Sequence, residues 1–133
     1  MKTKVILQDE QVGRIKPSAT RVYGRHVYGS AYECDVKKLT DEEFLRQTVI
    51  EAVKVGNMRL LEVKSWKIGL GVSVVAVILE SHVSVHTWPE YGFATIDVYS
   101  CGEHTDPERA FYFIAERLEA GRVELGILDR SLV

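Results

Sequence analysis

The stretch Val83-Ser84-Val85-His86-Thr87-Trp88-Pro89-Glu90-Tyr91-Gly92-Phe93-Ala94-Thr95-Ile96-Asp97-Val98-Tyr99-Ser100-Cys101 decides the fold. Two runs within it, 83–88 and 94–101, alternate apolar and polar residues with the two-residue period of a strand that buries one face. Pro89 to Gly92 supplies turn chemistry between them, so they read as antiparallel neighbours. Working back along the chain, Val72 to Glu80 reads as a buried strand, Gly69-Leu70-Gly71 as a turn and Leu60 to Trp66 as a further strand. Arg25 to Cys34, with β-branched and aromatic residues in rough alternation, reads as a strand before these, and Val123 to Leu128 as the last one.

Two segments break the strand pattern. Thr40 followed by Glu43 has the form of a capping box, and Phe44, Leu45, Val49, Ala52 and Val53 recur at helical spacing up to Gly56. Asp106-Pro107 offers a cap and a proline at the first helical position, followed by the apolar stripe Ala110, Phe111, Ile114, Ala115 and Leu118 before Gly121. Each helix has one apolar face to cover. The expected fold is α+β, a two-layer sandwich with a largely antiparallel sheet and the helices on one face. Residues 1–21, mixed polar with Gly13, Pro17 and Ser18, read as a flexible N-terminal arm, and 22–133 as a single domain.

With 133 residues, 46% of them hydrophobic, the chain has enough material for one core and not for two. Seventeen basic against 19 acidic residues leave no electrostatic footprint for nucleic acid or an anionic membrane. The longest apolar run, Val72 to Leu79, is too short to span a bilayer, and Gln8-Asp9-Glu10 interrupts any signal-peptide core. Cys34 and Cys101 form neither a disulfide framework nor a CxxC pair. A reduced, cytoplasmic setting is expected.

Chemistry concentrates between Glu80 and Cys101, where a serine, two histidines, carboxylates and a thiol lie close in sequence. Such groups can make and use an electrophile. A hydrolase triad of Ser81, His86 and Asp97 lacks a nucleophile elbow and a glycine-rich oxyanion loop. His82 and His86 stand four apart, but on a strand rather than a helix, so no metal site is expected from them. Cys34 reads as a buried structural thiol.

The segments Glu80-Ser81-His82 through Tyr91-Gly92-Phe93-Ala94, and Asp97-Val98-Tyr99-Ser100-Cys101-Gly102, closely resemble the self-cleavage region of the prokaryotic S-adenosylmethionine decarboxylases. The resemblance runs from about Gly24-Arg25-His26 to Gly121-Arg122-Val123. It implies a proenzyme cut between Glu80 and Ser81 into a 1–80 beta chain and an 81–133 alpha chain, with Ser81 converted into a covalent pyruvoyl group that takes substrate as a Schiff base. In such a process the Ser81 hydroxyl attacks the Glu80 carbonyl, and loss of the α-proton then expels the Glu80 carboxylate.

By the same resemblance, His86 is the processing base, Ser73 assists processing at the scissile carbonyl, and Cys101 is the proton donor in turnover. Glu90 would position substrate. Trp66, in Lys64-Ser65-Trp66 where the bacterial pattern has Phe-His-Arg-Phe, could stack on an adenine. Ser81 and His86 are five apart and would face opposite sides of a regular strand, roughly 16 Å apart along it. The strand is therefore expected to bulge between them, or to begin after Ser81.

The implied function is decarboxylation of S-adenosylmethionine, giving the aminopropyl donor for spermidine synthesis. The enzyme would be a homodimer of processed protomers with sites at the interface, and no metal. Lys64-Ser65-Trp66, Arg25 to Gly29 and Asp129-Arg130-Ser131 are also similar to the crenarchaeal branch, in which close relatives decarboxylate arginine. A further alternative is a relative that does not process and serves as a binding or regulatory subunit. His82 has no assigned role beyond shaping the turn.

Overall fold

The computed structural model describes residues 4–7 and 20–133. Its strands are β1 (Lys4–Leu7), β2 (Arg25–Tyr32), β3 (Leu60–Ile68), β4 (Gly71–Ile78), β5 (Ser81–Trp88), β6 (Phe93–Ser100) and β7 (Arg122–Asp129). The helices are α1 (Val36–Leu39), α2 (Glu42–Val55) and α3 (Pro107–Arg117). All seven strands form one sheet in the order β1-β7-β2-β6-β5-β4-β3. Every pairing is antiparallel except that of β1 with β7. Lys4–Leu7 thus adds an edge strand within the segment expected to be an unpacked arm, and 8–19 lie outside the described residues.

The period-two alternation sorts the sheet into two faces. Val72, Val74, Ala76 and Ile78 of β4, Val83 and Val85 of β5 and Ala94, Ile96 and Val98 of β6 are buried on one side. Leu45, Val49, Ala52 and Val53 of α2 and Ala110, Phe111, Ile114 and Ala115 of α3 cover that side. The two-layer expectation holds, and it is driven by burial of these side chains, with each Val, Leu, Ile or Phe contributing about 1.5–3 kcal/mol.

The helix α2 begins one residue later than the capping-box reading implies. Asp41 is its cap, accepting from the Phe44 N–H at 3.0 Å, while Thr40 closes the short α1 that the sequence reading did not contain. Asp106 caps α3 as expected, accepting from the Arg109 N–H at 3.0 Å.

Among the described residues no helix packs on the opposite face. It carries His26, Tyr28, Ser73, His82, Ser84, His86, Asp97 and Tyr99 in alternate positions along four central strands. Trp66 stands in register with Ser73 and is 53% exposed. Among the described residues no helix is long and apolar enough to cross a membrane.

Candidate active site

The β4–β5 hairpin carries the Glu80–Ser81 bond. Ile78 pairs with Ser81, leaving Leu79 and Glu80 as a two-residue turn. Such turns ordinarily place a positive φ on a turn residue, usually Gly or Asn. Here the positive φ falls on Ser81, at +153°. A non-glycine residue in that region stores on the order of 1–3 kcal/mol of strain.

The Glu80 carbonyl accepts the Cys101 N–H at 2.9 Å, so a donor already polarises the peptide group preceding Ser81. The Glu80 side chain is clamped as well. It is only 4% exposed, accepts the Arg59 N–H at 3.2 Å and pairs with His104 Nε2 at 2.9 Å. Burial alone would raise its pKa, but the Arg59 N–H and His104 outweigh that and hold the carboxyl below the ordinary range. Gly102 makes the clamp sterically possible, because a Cβ there would meet Glu80 Cγ at 2.8 Å.

Cys101 is exposed, just past β6, and a closed ring of hydrogen bonds holds its loop. Ser100 Oγ accepts from the Gly102 N–H at 3.1 Å and lies 2.6 Å from Thr105 Oγ1, which donates to the Gly102 carbonyl at 2.7 Å. Cys34 is buried, and burial pushes its thiol up to about 12, which suits an unreactive structural role.

The strand β5 runs without a bulge from Ser81, opposite Ser100, to Trp88, opposite Phe93. Neither expected escape, a bulge or a later start, occurs, because the ladder to β6 is continuous. Ser81 and His86 therefore stay roughly 16 Å apart at about 3.3 Å per residue. His86 instead meets Ser73, its register partner on β4, with Ser73 Oγ 2.8 Å from His86 Nδ1. Ser73, His86, Trp88 and Glu90 line one open pocket of about 440 Å³. Glu90 sits on the short 3-10 turn Pro89–Tyr91, which Gly92 ends at φ +60°.

The seven residues singled out from sequence thus fall into two groups. Glu80, Ser81 and Cys101 lie at the β4–β5 turn end of the sheet, and Ser73, His86, Glu90 and Trp66 lie toward the other end.

One residue left without a role joins the first group. His82 Nδ1 lies 3.3 Å from Ser81 Oγ, and its Nε2 lies 3.3 Å from Asp97 Oδ2. Asp97 Oδ1 receives His26 Nε2 at 2.8 Å. Burial would raise the Asp97 pKa, but the hydrogen bond and charge of His26, with His82, keep it below the usual carboxylate range. The Ser81-His82 adjacency was a signal for the first contact. The second spans 15 residues and depends on the β5–β6 register, in which Asp97 stands diagonal to His82.

The family model described as S-adenosylmethionine decarboxylase matches residues 25–131. A protein of Sulfurisphaera tokodaii named S-adenosylmethionine decarboxylase proenzyme is 60% identical over 114 residues, covering 86% of this chain and 93% of that one. One of the same name from Aeropyrum pernix is 59% identical over 113 residues, 84% of this chain and 87% of its own. The crystal structure of the adenosylmethionine decarboxylase from Aquifex aeolicus superposes with a TM-score of 0.78 at 31% identity, covering 84% of this chain and 93% of that one. With the match spanning β2 to β7 and all the candidate residues, the chain belongs to the S-adenosylmethionine decarboxylase family.

Proposed function

We propose that the chain is a proenzyme that cleaves itself between Glu80 and Ser81 and then decarboxylates S-adenosylmethionine for polyamine synthesis. The observation that carries this reading is the geometry of the scissile peptide, with its carbonyl held by the Cys101 N–H and strain stored on Ser81. Strain and a polarised carbonyl both favour moving the acyl group from nitrogen to the Ser81 oxygen. The names of the relatives, which include the word proenzyme, support it.

A pyruvoyl group formed from Ser81 would supply the carbonyl that takes the substrate amine and the electron sink for loss of carbon dioxide. The site fits such a group, since Ser81 begins a strand and Cys101 stands beside it, exposed and on a braced loop. Cys101 would deliver the proton that replaces the carboxylate. Glu90 would accept hydrogen bonds from substrate, and Trp66 and Trp88 offer faces to adenine. This aromatic character favours S-adenosylmethionine over arginine, whose guanidinium calls for paired carboxylates.

The separation of Ser81 from His86 has a direct consequence. If His86 takes the Ser81 α-proton, it must come from another copy, so we infer a homodimer in which one protomer's Ser73 and His86 face its partner's Ser81 and Cys101. Among the described residues no helix covers the face carrying Ser73 and His86, and a second sheet would cover it.

The denatured mass of the purified protein under reducing conditions tests the processing. Two fragments split after Glu80, the second lacking its α-amino nitrogen, are expected. An intact chain after long incubation would favour a non-processing subunit. Release of labelled carbon dioxide from carboxyl-labelled S-adenosylmethionine, and not from labelled arginine, is the expected substrate result.

A further inference from the structure

We propose that His82, oriented by Asp97, is the base that activates the Ser81 hydroxyl for the first step of self-cleavage. This rests on the processing reading above and assigns its opening step to a different histidine from the one acting on the α-proton.

Hydrogen-bond valence along the open face sets the tautomers. Arg130 can only donate, and its Nη1 lies 3.5 Å from His26 Nδ1, so that nitrogen accepts and His26 Nε2 carries the hydrogen given to Asp97. The Asp97 carboxylate can only accept, so His82 Nε2 also carries a hydrogen, at 3.3 Å from Oδ2. Neutral His82 then has a free lone pair on Nδ1, the atom 3.3 Å from Ser81 Oγ. By contrast His86, roughly 16 Å away along the strand, cannot reach that hydroxyl from the same protomer.

The step balances within these groups. The Ser81 Oγ–H proton passes to His82 Nδ1 as Oγ bonds to the Glu80 carbonyl carbon, and the Cys101 N–H holds the oxygen that gains negative charge. The C–N bond then breaks and the imidazolium returns the proton to the departing Ser81 nitrogen. An ester and a free amine result, with nothing else consumed. Elimination from that ester is a separate event, and it is the one the processing reading gives to His86.

The charged and titratable groups around His82 are Asp97 and Tyr99 of β6, His26 of β2 and Arg130 beyond β7, while β4 presents Val77 in register. The His82 side chain is 44% exposed, so its replacement removes little packing. His82→Asn is the informative variant, since its Oδ1 can stand near the position of Nδ1 and accept the same hydrogen bond without taking the proton.

The test follows the denatured mass at timed intervals after cell-free synthesis, from pH 5 to 8. Wild type is expected to cleave more slowly toward acid, because a protonated imidazole has no lone pair to take the Ser81 proton. His82→Asn is expected to cleave at least about 100-fold more slowly, within the ordinary contribution of a general base, and to lack that acid limb. Hydroxylamine separates the two steps. It should cleave His86→Ala, which stops at the ester, and leave His82→Asn intact, because that variant stops before it. Asp97→Asn, in an otherwise unchanged protein, should move the acid limb to lower pH. A His82→Asn protein that cleaves at the wild-type rate, or that hydroxylamine cleaves, would overturn the assignment alone. A wild type that never cleaves would overturn the processing reading and this step with it.

Discussion

The sheet holds a serine in contact with a histidine near each end of β5, in opposite surroundings. At one end Ser81 follows a buried, ion-paired glutamate, sits at φ +153° and meets a histidine whose far nitrogen rests on Asp97. At the other, Ser73 and His86 face each other across two regular strands, and among the described residues no carboxylate is bonded to His86. In the proposed reading the first arrangement makes an oxygen nucleophilic beside a strained bond, and the second holds an imidazole steady for a group brought to it from a second protomer. Identical residue types therefore predict different roles once backbone strain and the second hydrogen bond of each ring are considered.

Ser81→Ala breaks the comparison most completely. It removes the proposed nucleophile and proposed source of the pyruvoyl group, and the expected outcome is an uncleaved chain that releases no labelled carbon dioxide. Cys101→Ala keeps the Cys101 N–H on the Glu80 carbonyl, so fragments should still form while kcat falls by about 10²–10⁴. Equal loss of cleavage and turnover would mean that the two roles are not separate.

Trp66→Ala probes the other end. Loss of a stacking face worth roughly 1–3 kcal/mol should raise KM about 5- to 150-fold with cleavage unchanged. An unchanged KM would remove Trp66 from the substrate site.

The smallest effect concerns the clamp on Glu80. In the uncleaved Ser81→Ala background, Glu80→Gln should lower stability at neutral pH by about 1–3 kcal/mol, read by denaturant unfolding. The folded pKa is lowered, so the advantage of Glu80 is full above the ordinary carboxylate range near ~4.3 and disappears as pH falls through the folded value. The two proteins should converge at low pH. A constant gap would show that packing, not charge, sets the difference.

Much of this architecture was legible from residue patterns. The alternation across 83–101 marks β5 and β6 because a sheet with one covered face writes its burial directly into the odd and even positions. The stripe from Ala110 to Leu118 did the same for α3. The start of α2 was misread by one residue because Thr40 and Asp41 are both good caps, and Thr40 closes a helix of four residues too short to leave a period. Spacing revealed that Ser81 and His86 face apart, yet the expected bulge depended on treating one chain as the whole site. His82 was passed over because its partner on β6 is set by register, which sequence adjacency does not express.

The central claim is that the two ends act together only across two protomers, and chains lacking one half each test it most directly. Ser81→Ala supplies an intact His86, and His86→Ala supplies an intact Ser81. Expressed alone, neither should yield fragments. Expressed together, the account predicts that the His86→Ala chain is cleaved after Glu80 in mixed dimers, visible as its two fragments by denatured mass. Cleavage of His86→Ala by itself, or none in demonstrated mixed dimers, would contradict it.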